Sequence, residues 1–74
     1  MLKKLRTNQR HARLMRAADF LIFDHDTDEL AAADLIALAF GRYQIRITEA
    51  EAVEYLNAGL VRRGHARRLA APTV

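Results

Sequence analysis

Residues 30–40 read Leu-Ala-Ala-Ala-Asp-Leu-Ile-Ala-Leu-Ala-Phe, and only Asp34 interrupts the apolar run. Wound at 3.6 residues per turn, this segment has no polar face. It must be covered on most sides or lie at an interface. The chain has 74 residues, and a domain of that size buries only about 60% of the surface its unfolded chain exposes. Two further helices cannot easily cover every side of such a rod. The predicted helix runs over residues 28–40. Asp26 or Thr27 is the expected cap, Asp26 and Glu29 stand at capping-box spacing, and Gly41 is the expected stop.

On either side the same period recurs. Leu14, Ala18, Leu21 and Ile22 fall at helical spacing, with Leu5, Ala12 and Met15 beside them. They predict a first helix from residue 3 or 8 to about 23. Thr48 and Glu51 form the clearest capping box in the chain, just before Ala52, Val53, Leu56 and Leu60. That pattern predicts a third helix over 49–63, stopped by Gly64. Between helices two and three, Tyr43, Ile45 and Ile47 alternate with Arg42, Gln44 and Arg46. Period-2 alternation is a strand signal, so a short extended segment is expected near 43–47. The expected fold is all-α: a small three-helix bundle with that segment between its last two helices. Residues 1–64 form its single domain, and residues 65–74 form a basic, flexible tail.

Of the 51% hydrophobic residues, many are Ala, so the large side chains suffice for one compact core. With no Cys, neither a disulfide nor a thiolate–metal site is available to support it. No apolar run approaches the ~18 residues of a membrane span. A cytoplasmic protein is the expectation.

The net charge of +3 is mild, but its distribution is not. Lys3, Lys4, Arg6, Arg10, Arg13 and Arg16 occupy residues 1–16 with no acid among them. Asp19, Asp24, Asp26, Asp28, Glu29 and Asp34 occupy 17–34 with no base. Arg62, Arg63, Arg67 and Arg68 return the sign to positive. On a helical wheel Lys3, Arg6, Arg10 and Arg13 form one stripe, and Phe20 falls on the same side. A stripe like this neutralises phosphates or docks on an acidic protein surface. It also suits a solvated face, or one paired with the chain's own acids.

The stretch Phe20-Leu21-Ile22-Phe23-Asp24-His25-Asp26-Thr27 resembles the first motif of haloacid-dehalogenase-type phosphatases, a hydrophobic strand followed by Asp-x-Asp-x-Thr. The resemblance implies a nucleophilic Asp24 and an acid at Asp26. It covers eight residues and lacks the Gly that usually stands between Asp26 and Thr27. No downstream Lys followed by an acidic pair is present to hold Mg²⁺, and 74 residues are too few for that sheet. Asp24, Asp26 and Asp28 are also similar to the start of an EF-hand. There the required Gly is Glu29 and the bidentate Glu is Leu35. A helix end with its cap accounts for the same residues. No nucleophile–base pairing, phosphate loop or aromatic RNA-binding sheet is recognisable. Neither a catalytic residue, a metal nor a cofactor is expected.

The expected function is therefore binding. The first reading is a non-catalytic regulator that binds a protein target, a complex handling nucleic acid such as transcription or defence machinery. Small phage-encoded inhibitors of such complexes are of similar size, a likeness of size alone. The alternative is a direct DNA- or RNA-binding regulator acting through the N-terminal helix and the tail. The candidate contact residues are Lys3, Lys4, Arg6, Arg10, Arg13, Arg16, Phe20, Tyr43, Arg62, Arg63, Arg67 and Arg68. A homodimer through helix 28–40 or strand 43–47 is a further expectation.

Overall fold

A computed structural model describes the backbone of residues 2–71 and the side chains of residues 9–71. The described residues form three α-helices: α1 (Leu2–Asp24), α2 (Ala32–Tyr43) and α3 (Glu49–Arg62). No strand occurs among the described residues.

Arg10 of α1 meets Glu51 near the start of α3, and Asp19 meets Arg62 at its end. These two helices therefore run the same way. The end of α2 returns to Arg13 of α1, so α2 runs back between them. The result is an up–down–up bundle.

The core is drawn from every helix at the predicted period. Leu14, Ala17, Ala18, Leu21 and Ile22 come from α1, Leu35 and Ala39 from α2, and Ala52, Val53, Leu56 and Leu60 from α3. Leu14, Leu35, Leu56 and Leu60 are the largest fully buried side chains. Burying a Leu stabilises by about 1.5–3 kcal/mol, and these positions carry the fold.

The predicted boundaries of the second helix need correcting at both ends. Thr27–Glu29 form one 3-10 turn, and Asp26 makes no side-chain cap bond there. α2 starts at Ala32. Leu30 explains the delay. It is buried, and its backbone is extended, with φ −66° and ψ 134°. In a helix continuous from residue 28, Leu30 would lie about 140° around from Leu35, away from the core. Breaking the helix lets both point inward. Ala31 stands at the N-cap without a polar side chain, and Asp34 supplies the reciprocal half of a box: its Oδ2 accepts from Ala31 N–H at 3.1 Å.

Gly41 does not stop α2. The helix continues to Tyr43, which packs against the core. Gln44 ends it in the left-handed region at φ 57°, and Ile45 N–H turns back onto the Ala39 carbonyl at 3.2 Å.

No strand forms over 43–47 within the chain. The alternation is nonetheless real as burial. Tyr43, Ile45 and Ile47 are half-buried, and Arg42, Gln44 and Arg46 are exposed. A connector lying along the bundle alternates for the same reason that an edge strand does: one side faces the core.

α3 follows its prediction closely. Glu51 N–H donates to Thr48 Oγ1 at 3.1 Å, and Thr48 N–H donates to Glu51 Oε1 at 3.2 Å. Gly64 at φ 75° closes the helix, with His65 N–H on the Leu60 carbonyl and Gly64 N–H on that of Val61. This is the paired-bond stop of a Schellman motif. Residues 65–71 have no regular structure, but Leu69 is held. Its N–H donates to Asn57 Oδ1 at 2.7 Å, its carbonyl accepts from Asn57 Nδ2 at 3.0 Å, and its side chain packs on the core.

Candidate binding surfaces

The sequence suggests that the N-terminal basic stripe pairs with the acidic turn or stays free. The fold gives a crossed arrangement. Arg10 donates to Glu51 Oε2 at 3.2 Å, joining α1 to the acidic start of α3. Arg62 at the end of α3 donates to Asp19 at 2.9 Å. Arg67 lies 3.9 Å from Asp28 in the acidic turn. Each basic block thus meets an acidic block from another part of the chain. The parallel run of α1 and α3 keeps the two basic blocks at opposite ends.

The remaining candidates fall in different places. Lys3, Lys4 and Arg6 have side chains outside the described residues. Arg63 is exposed. Arg68 folds back on the carbonyls of His65 and Arg67. Arg67 Nη1 is enclosed without a hydrogen-bond partner among the described residues.

Arg13, Arg16, Phe20 and Tyr43 come together with a residue the sequence reading did not select, Arg42. The Arg13 and Arg42 guanidiniums lie 5.7 and 5.9 Å from the centre of the Tyr43 ring. Arg42 also lies 5.9 Å from the ring of Phe20, which is 45% exposed. Arg16 is exposed on α1 between Arg13 and Phe20. Neither Arg13, Arg16 nor Arg42 joins an ion pair among the described residues. Guanidiniums resting on ring faces keep their N–H groups directed outward. The surface is therefore cationic, aromatic and partly pre-ordered.

A second surface lies on the outward side of α2. Ile36, Ala37 and Phe40 with Arg46 and Ile47 of the connector line a groove of about 510 Å³. Phe40 is 48% exposed, and the Arg46 guanidinium sits 5.0 Å from its ring centre. Arg46 was likewise not selected from sequence. Arg42 and Arg46 were legible as the polar half of the alternating segment. Their nearness to α1 and to Phe40 follows from the chain reversal at Gln44.

A third groove, about 560 Å³, runs between α1 and α3 past His11, Met15, Glu54, Tyr55 and Ala58. His11 Nδ1 and Tyr55 Oη are hydrogen-bonded at 2.9 Å. Its walls carry both signs of charge, Glu51 and Glu54 against Arg62. Among the described residues, Glu51 is the one group whose acidity is clearly displaced. The Thr48 backbone N–H, then Arg10, holds its carboxyl below the ordinary carboxylate range, against an opposing desolvation effect.

Among the described residues no three His, Asp or Glu side chains gather as a metal site, and Asp24, Asp26 and Asp28 follow the outside of the turn. No helix there is long and apolar enough to cross a membrane. No protein-family model matches the chain, and neither a curated protein nor a solved structure matches it.

Proposed function

We propose that this is a non-catalytic regulatory protein that binds a protein target, a complex that itself handles nucleic acid. The observation that carries the reading is the surface around Tyr43. Two guanidiniums without acid partners among the described residues rest on one ring, beside a half-exposed Phe20. Arg and aromatic side chains are the residues that dominate protein interfaces when water is excluded around them. Phe23, one turn beyond Phe20, is 80% exposed and continues the apolar patch toward the acidic turn. A polyanion would be repelled at that end, whereas a protein surface with both apolar and acidic parts fits both ends.

The alternative reading is direct binding of DNA or RNA. It is favoured by Arg13, Arg16 and Arg42 beside two aromatic rings, the combination that holds single-stranded nucleic acid.

Photo-crosslinking from position 20, in the cells that make the protein, separates the two. The expected result is a protein adduct that survives nuclease and disappears when Arg13 and Arg42 are both changed to Ala. Adducts consisting only of nucleic acid would replace the first reading with the second. An absence of adducts would remove both.

A further inference from the structure

We infer that the outward face of α2 is a docking site for an acidic amphipathic helix of a partner protein. The inference rests on the protein-target reading and names the chemistry of the partner segment.

Ala33, Ala37 and Gly41 stand four residues apart along α2, and all three are exposed. A row at this spacing is the groove into which a second helix sets its ridge. At Gly41 the space is open, with nothing within 4 Å of where a Cβ would be. Beside this row lies the apolar groove of Ile36, Ala37, Phe40 and Ile47. α2 is 12 residues long, so the face is about 18 Å in length, enough for some three turns of a partner helix.

Charge decides which helix fits. Among the described residues Arg46 is the only charged one lining the groove, and it joins no ion pair there. Its guanidinium is held over Phe40 at 5.0 Å. A carboxylate flanking the apolar stripe of the incoming helix meets this guanidinium, and a Lys at that position is repelled.

A second copy of this chain fits less well. Phe40 with Arg46 lies on one flank of the Ala33–Ala37–Gly41 row, and Asp34 lies on the other. Two antiparallel α2 helices related by a two-fold axis bring like flanks together. The Arg46 flank would then face its own copy and not an acid.

The test uses the full chain and a fluorescent synthetic helix of about 18 residues, or five turns. The probe carries Leu along one stripe, Glu on the flank that meets Arg46, and uncharged residues on the flank that meets Asp34. A second probe has Lys in place of Glu. We expect the Glu probe to bind at least about tenfold more tightly, a difference of about 1.4 kcal/mol. Arg46→Glu should invert the preference. Gly41→Leu, which has room within the fold, and Ala37→Arg should abolish binding while the helical circular dichroism is retained. Arg13→Ala with Arg42→Ala should leave probe binding intact, which separates this site from the Tyr43 surface. Equal binding of both probes, no binding of either, or binding that survives Ala37→Arg overturns the inference. So does a dimer in sedimentation that Ala37→Arg dissociates. If the groove fails while crosslinks from position 20 persist, the protein-target reading stands without this site.

Discussion

Ile22 occupies the space that a side chain on residue 59 needs: its Cδ1 lies 2.6 Å from the position of a Cβ on Gly59. Asp19 Oδ1 is 3.1 Å from the same point. α1 and α3 pack against each other at this glycine. Gly59→Leu is expected to destabilise by about 1–3 kcal/mol through overpacking. Gly59→Ala should stay within about 1 kcal/mol, because the gain in helix propensity offsets a shift of the mobile Ile22 terminus. Urea unfolding of both variants checks the difference.

The capping residues make a contrast that the sequence does not. Thr48→Ala removes the acceptor for Glu51 N–H and should cost about 1 kcal/mol. Asp26 makes no cap bond, so Asp26→Ala should cost less than about 0.5 kcal/mol. Thermal unfolding at one pH measures both. An equal loss for the two would contradict the observed start of α2.

Glu51 links stability to pH. Its folded carboxyl titrates below its ordinary value, held there first by the Thr48 N–H and then by Arg10. The unfolded state therefore takes up a proton before the folded state does. The resulting stabilisation is fully present above the ordinary carboxylate range, near pH 4.3, and is lost as pH falls through the depressed folded value. Glu51→Gln should flatten the acid limb of a stability–pH curve below about pH 5. Denaturant midpoints taken between neutral and acid pH report it.

Gln44 adopts a left-handed conformation at φ 57°. A residue with a Cβ is penalised there by about 1–2 kcal/mol, and glycine is not. Gln44→Gly is expected to stabilise the fold by up to about 1 kcal/mol. A fall in melting temperature would show that the Gln44 side chain contributes something its exposed position does not suggest.

Arg67 and Arg62 should respond differently to replacement by Met. Arg62 holds Asp19 at 2.9 Å in a partly exposed pair, worth about 0.2–1 kcal/mol. Arg67 leaves Nη1 enclosed and unpartnered among the described residues. Arg62→Met should therefore destabilise slightly, and Arg67→Met should be neutral or stabilising. Chemical denaturation of the two single variants resolves the sign.

The three helices, the Thr48–Glu51 box, the Gly64 stop and most of the core were legible along the chain. Each depends on neighbours within four residues, or on a period that burial imposes. So was the incomplete cover of the second helix, because its composition leaves no polar face. Its limits were not legible. Whether Asp26 caps a helix depends on where Leu30 must point, and Leu35 and the core decide that. Nor could linear order reveal that Arg10 meets Glu51, that Arg62 meets Asp19, or that Arg42 and Arg46 complete two surfaces. Those pairings follow from the parallel run of α1 and α3 and from the reversal at Gln44. Local hydrogen bonds and side-chain period thus determine the helices of this protein, whereas contacts between residues distant in sequence set their ends, pair their charges and leave one face of α2 open.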